Sequence, residues 1–187
     1  ACRVHEIQVL MTSSKCLTGT DRVAEVAEQV TAETYINIQG DEPVFNPGDI
    51  QGLIENAGQY PDQVLNGYRP ILDEALFKSA SIPKVVFRPD GRLLYMSRAP
   101  IPTDKQHAFV KAWRQVCAYA FPRQALKAFA DTPVKTRLEQ VEDIEILRFL
   151  ELGFEVRMVE MSSQSISVDT PEDVPKVEKA IKEMGLL

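Results

Sequence analysis

Tyr35-Ile36-Asn37-Ile38-Gln39-Gly40-Asp41-Glu42-Pro43 is the stretch on which the reading of the fold turns. A short apolar run meets a glycine, two carboxylates and a proline. The apolar part reads as a buried strand. Gly40 permits a sharp turn or a close backbone approach to a ligand. Asp41 then falls just past the carboxyl end of a central strand, where open α/β sheets bind their ligands. A hard carboxylate there suits Mg²⁺ beside phosphates. It equally suits an ordinary β-turn, in which Asp is a favoured residue.

Upstream, Glu6 to Thr12 alternates like a strand. A polar loop follows, and Thr20 reads as the N-cap of a helix with Val23, Val26, Ala27 and Val30 on one face. Downstream, Asn46-Pro47 opens a helix through about Asn56, Val64 to Ile71 is a strand, and Glu74 to Lys78 is a short helix. Lys84 to Arg88 and Arg92 to Ser97 flank Pro89-Asp90-Gly91, a hairpin signal. Arg98 to Ala112, with Pro100 and Pro102, reads as an irregular crossover. Val116 to Phe121 is a strand, and Pro122 starts a helix. Arg137 to Leu152 has the apolar spacing of one continuous helix, closed by Gly153. Phe154 to Met161 is a strand, and Thr170-Pro171 opens the last helix. This alternation predicts an α/β fold: a three-layer α/β/α sandwich with a mixed, mostly parallel sheet.

The 187 residues suffice for one domain, 1–187, with its own core. A net charge of -6 argues against nucleic-acid binding, which needs a basic patch. The three cysteines, Cys2, Cys16 and Cys117, are widely spaced and fit neither a disulfide framework nor a zinc pattern. A reducing cytoplasm is the expected setting, and no run is long enough for a membrane span.

A second carboxylate lies in Val168-Asp169-Thr170-Pro171-Glu172-Asp173. It reads as an ordinary acidic helix start. It also reads as a partner for Asp41, since two carboxylates at strand ends can converge on one metal, as phosphoryl and nucleotidyl transfer require.

Four segments occur in order: Thr18-Gly19-Thr20-Asp21-Arg22, Gln39-Gly40-Asp41-Glu42-Pro43, Tyr95-Met96-Ser97-Arg98-Ala99-Pro100-Ile101-Pro102 and Val168 to Asp173. Together the set resembles the CMP-KDO synthetases, the 3-deoxy-manno-octulosonate cytidylyltransferases. The resemblance implies a nucleotide-diphospho-sugar-transferase-like fold. It also implies transfer of CMP from CTP to an eight-carbon sugar acid with release of pyrophosphate, for lipopolysaccharide or capsule synthesis. By the same resemblance, Asp41 and Asp169 hold Mg²⁺ and form the catalytic pair. Thr18, Gly19, Arg22 and Gln39 face the nucleotide. Arg98, Gln115, Tyr119 and Glu145 face the sugar acid. The stretch 98–114, which holds Phe109, Val110 and Trp113, is the implied homodimer segment. Glu139 and Glu142 read as a solvated acidic stripe beside Glu145.

The chain departs from the family's pattern in the sugar half. Gln115 stands where His is frequent, Ile146 where Gln is frequent, and Thr103 where Trp is common. Exchanging polar and apolar groups in a hydroxyl-reading pocket changes discrimination, because unpaired buried groups are costly. Ala1-Cys2-Arg3-Val4-His5 resembles the end of the family's second helix. The resemblance therefore implies a chain without the family's opening strand and its basic loop around the triphosphate. Such a chain is a fragment, is completed by a partner, or is a module that keeps the fold without the chemistry. A nucleotidyltransferase for another base or sugar acid is the remaining alternative.

Overall fold

The computed structural model describes residues 2–162, 168 and 171–185. Its elements run α1 (Gly19–Gln29), β1 (Thr34–Ile38), α2 (Pro47–Gln59), β2 (Val64–Ile71), α3 (Glu74–Lys78), β3 (Lys84–Phe87), β4 (Leu93–Ser97) and β5 (Ala112–Pro122). They continue with α4 (Arg123–Ala130), α5 (Arg137–Glu142), α6 (Ile146–Glu151), β6 (Val156–Glu160) and α7 (Val174–Glu183). Short 3-10 helices cover Cys2–His5 and Pro171–Asp173.

The strands form one mixed sheet in the order β4-β3-β5-β2-β6, with β1 also pairing β5. The long strand β5 is the hub, running antiparallel to β1, β2 and β3. The β3–β4 hairpin is also antiparallel, and β2–β6 is the parallel pair among the described strands. The expectation of a mostly parallel sheet is corrected here. Apolar runs mark buried strands, but they carry no record of direction.

Alternating side chains on β2 and β5 divide the core between two faces. Val64, Tyr119 and Phe121 join Ala24, Ala27, Leu126, Phe129 and Phe149 from the helices on one side. Leu65, Val116, Ala118 and Ala120 join Leu53 of α2 on the other. Helices on both faces of the sheet make the three expected layers.

Three further expectations are corrected. Glu6 to Thr12 is not a strand; no described strand pairs with it, and Ile7, Val9, Leu10 and Met11 are exposed. The cap of α1 is Thr18, not Thr20, because Asp21 sits where its carboxylate can reach back and complete a capping box. The helix expected over Arg137–Leu152 breaks at Asp143, which adopts a left-handed conformation with φ 53°. Arg98 explains the break. Its Nε donates to the Glu142 carbonyl at 2.6 Å and its Nη2 to the Asp143 carbonyl at 2.9 Å. Those oxygens are thereby satisfied without a continued helix.

Candidate active site

β1 ends at Ile38, and Gln39–Glu42 turn away from the sheet, with the Glu42 N–H donating to the Gln39 carbonyl at 3.1 Å. Gly40 needs no unusual backbone angle here, and a Cβ added to it would meet nothing within 4 Å. Its surroundings are open, so the room it leaves lies on the outer side of the turn. Asp41 is exposed, whereas Glu42 is buried. Both line a cleft of about 90 Å³ with Ser81, Pro83, Arg114, Gln115 and Cys117.

One wall of the cleft comes from β5, where Gln115, Cys117 and Tyr119 follow each other at alternate positions. The Gln115 Nε2 reaches the Tyr119 hydroxyl at 3.4 Å and the Asn66 Oδ1 at 3.1 Å. Burial first, then the neighbouring Cys117, raises the Tyr119 phenol well above its ordinary value. Burial likewise pushes the Cys117 thiol up to about 11, with the carboxylates of Asp41, Glu42 and Glu145 adding to the effect. The expected residues Asp41, Gln115, Tyr119 and Glu145 therefore act on one locality. Asp41 and Glu42, from the turn after β1, outnumber the one guanidinium in the lining, that of Arg114 on β5, which suits a cation held by hard oxygens.

The facing wall, Ser81–Pro83, is fixed from behind by Lys84. This fully buried ammonium donates to the carbonyls of Ser79 (2.8 Å), Ile82 (2.6 Å) and Arg98 (2.6 Å). Burial, then the nearby Arg98, lowers its pKa.

At the start of α1, the Glu145 carboxylate accepts the Gly19 N–H at 3.3 Å and the Thr20 N–H at 3.0 Å. Glu145, expected at the sugar, thus holds the helix end expected at the nucleotide. A Cβ at Gly19 would lie 3.2 Å from the Gln39 Nε2, so this glycine and that amide are close neighbours. Gln39, Gly19 and Glu145 are therefore brought together. The Thr18 hydroxyl is spent in the cap, donating to the Asp21 Oδ2 at 2.8 Å and accepting the Asp21 N–H at 3.2 Å.

Two expected residues are placed differently. Arg22 donates to the Thr12 hydroxyl at 2.7 Å and the Ser13 carbonyl at 3.3 Å, along a separate groove beside β1 lined by Leu10, Val26 and Ile36. Arg98 turns its guanidinium onto carbonyls of Ala80 (3.1 Å), Glu142 and Asp143, so it is a strut between two loops. Asp169, the second expected metal ligand, lies outside the described residues. Among the described residues no cluster of three metal-ligating side chains occurs. The adjoining Val168 N–H donates to the Asp41 carbonyl at 2.8 Å, so the chain leading into Asp169 reaches the cleft.

The acidic stripe is corrected. Glu139 is 1% exposed and pairs with the equally buried Arg148 through Nε–Oε2 and Nη2–Oε1 contacts of 2.6 Å each. Glu142 accepts from the Ser97 hydroxyl (2.7 Å) and the Arg98 N–H (2.8 Å). Burial raises the Glu142 carboxyl, but these donors outweigh it and leave its pKa below the usual value. Ile146 is core, not pocket.

Sequence reasoning missed Cys117 and Asn66. The alternation Gln115, Cys117, Tyr119 was a signal for the first. A lone Asn inside an apolar strand was a signal for the second, since Asn is depleted in strands.

Comparison with known proteins agrees with this architecture. The family described as Cytidylyltransferase matches residues 1–162. A 3-deoxy-manno-octulosonate cytidylyltransferase of Acidobacterium capsulatum is 38% identical over 182 residues, covering 97% of this chain and 74% of the relative. That of Solibacter usitatus is 38% identical over 184 residues, covering 97% and 73%. The solved structure of a CMP:2-keto-3-deoxy-manno-octonic acid synthetase complexed with CTP superposes with a TM-score of 0.89 at 30% identity, covering 97% of this chain and 75% of that one. A 2-C-methyl-D-erythritol 4-phosphate cytidylyltransferase from Thermus thermophilus shares the fold, with a TM-score of 0.59 at 16% identity. The chain belongs to the cytidylyltransferase family, among the 3-deoxy-manno-octulosonate cytidylyltransferases.

Proposed function

We propose that this cleft transfers CMP from CTP to a 3-deoxy ulosonic sugar acid of the KDO type, releasing pyrophosphate. The observation that carries the reading is the convergence of Asp41, Gln115 and Tyr119 at the carboxyl end of β1. It occurs in a chain 38% identical to enzymes named for this substrate. In the reaction the sugar's anomeric oxygen forms a bond to the α-phosphorus of CTP. The bond from that phosphorus to the bridging oxygen breaks, pyrophosphate leaves, and the hydroxyl proton passes to solvent.

Asp41 and Asp169 would hold Mg²⁺. The cleft's excess of carboxylate oxygens fits that ion, which when bound neutralises phosphate charge. Gln39 and the Gly19 backbone form the nucleotide side, with Thr18 shaping the loop through its cap. Gln115 and Tyr119 form the sugar side, with Glu145 between the two halves. Arg98 holds the Ser81 wall and the Asp143 turn in register, and Arg22 positions residues 12–13 beside α1.

Pyrophosphate release is the test, with CTP, UTP or GTP, a panel of ulosonic acids, and Mg²⁺ or a chelator. The expected result is release with CTP and KDO, abolished by chelation and lowered at least about a hundredfold by Asp41→Asn. No release with any sugar acid, or equal rates with the three nucleotides, contradicts the proposal.

A further inference from the structure

Asn66 sits in the middle of β2 with 0% of its surface exposed. The ladder between β2 and β5 shifts beside it: Asn66 pairs with Tyr119 while Gly67 pairs with Val116. Cys117 and Ala118 therefore bulge from β5. The Asn66 Nδ2 donates to the carbonyls at this irregularity, Val116 at 2.9 Å and Ala118 at 3.2 Å.

Carbonyl oxygens only accept, so the Asn66 amide fits only one way round. Its nitrogen faces β5 and its Oδ1 faces Gln115. That oxygen in turn only accepts, and it takes the Gln115 Nε2 at 3.1 Å. The same Nε2 also faces the Tyr119 hydroxyl at 3.4 Å. Both protons of the Gln115 amide are thus directed into the protein. Gln115 itself lines the cleft beside Asp41 and Glu42. Its Oε1 takes no hydrogen bond from a described residue.

We infer that Asn66 is a positioning residue that locks the Gln115 amide with its oxygen toward the cleft, so the site selects a sugar acid presenting a hydroxyl donor to Gln115 and rejects one lacking it. A glutamine without this lock can rotate and present either end. The inference about selection rests on the transferase reading of the cleft; the lock itself does not.

The lock is read by NMR of the side-chain amides, with the Gln115 signals assigned by their loss in Gln115→Glu. In the native protein these protons exchange at least about tenfold more slowly than those of the exposed Gln140, and Asn66→Ser removes the difference. Selection is read from kcat/KM for KDO and for analogues each lacking one hydroxyl. The native enzyme disfavours one analogue by about ten- to a hundredfold. Gln115→Leu and Asn66→Ser each collapse that one ratio, and their combination collapses it no further. Gln115→His preserves it, because an imidazole can donate one nitrogen to Asn66 and present a lone pair with the other. If Asn66→Ser does not fold, exchange of the native Gln115 amide still reads the lock, and the contrast between Gln115→Leu and Gln115→His reads the selection.

An unprotected Gln115 amide overturns the lock whatever the activity. Uniform losses across all analogues, or additive losses in the double variant, overturn the selection. A protected amide in a protein that releases no pyrophosphate with any sugar acid overturns the transferase reading, and selection with it, while the lock stands.

Discussion

Cys117 shows how one side chain reports on the cleft around it. Its thiol carries the combined effect of burial and of three nearby carboxylates, Asp41, Glu42 and Glu145, which hold it protonated up to about pH 11. The folded value lies above the ordinary 9.0. The protonated thiol therefore supports folding fully below pH 9, and that support is lost as pH rises through about 11. At pH 8 only roughly one part in a thousand is thiolate, and the thiolate is the nucleophile. Iodoacetamide at pH 8 is expected to label the exposed Cys2 readily and Cys117 only after denaturation, as mapped by mass spectrometry. Labelling of native Cys117 at the rate of Cys2 contradicts the burial that, with the carboxylates beside it, keeps this thiol protonated. At this scale Asp41 stood out in the sequence by its place just past an apolar strand end, whereas Gln115 and Tyr119 were expected only through the family resemblance. Asn66 was not assigned, because its role depends on a bulge in another strand. Arg98 was expected at the sugar acid, and its contacts with backbone carbonyls were not legible because those carbonyls lie 17 to 45 residues away in the chain.

Among the elements, the broken helix at Asp143 has the most consequence. The periodicity of Arg137–Leu152 is real, and Ile144, Leu147 and Leu150 all pack toward the core. Periodicity records which residues are buried; it does not record a backbone reversal imposed by a distant arginine. The reversal frees Glu145 to meet the start of α1 and turns Glu139 inward to Arg148. That pair is enclosed by the Phe129 ring, 3.6 Å from the guanidinium carbon, and by the Thr132 carbonyl at 3.0 Å. Removing one partner strands a buried charge, which costs about 3–5 kcal/mol. Arg148→Met and Glu139→Gln are each expected to lower the unfolding free energy, read from denaturant melts, by that amount, with Arg148→Met/Glu139→Leu recovering most of it. Losses below about 1 kcal/mol contradict a buried, paired geometry. The bounds of β2, Val64–Ile71, were legible. Glu6 to Thr12 shows the limit of that signal, since alternation makes a strand only where a neighbour supplies hydrogen bonds.

The whole molecule uses the hub strand β5 to bring distant parts of the chain to one place. β1 delivers Asp41, β2 delivers Asn66, and the α5–α6 junction delivers Glu145. A second surface lies at the other end of β5. Phe109 packs on Phe77 and Trp113 on Phe87, so the aromatic residues of the crossover serve their own core. Leu72 and Val110 remain 87% and 75% exposed beside the Ile71–Ala112 pair. We propose this patch as the homodimer contact of segment 98–114. Sedimentation equilibrium should show a dimer that Val110→Asp dissociates; a monomer at micromolar concentration rules the contact out.

The proposed chemistry requires that Asp41 and Asp169 share an ion beside CTP. Substituting Mn²⁺ and following paramagnetic broadening of amide signals with CTP present measures this. Broadening centred on Gln39, Gly40, Cys117 and Val168, and lost in both Asp41→Asn and Asp169→Asn, is the predicted result. Broadening centred elsewhere, or surviving either substitution, contradicts it.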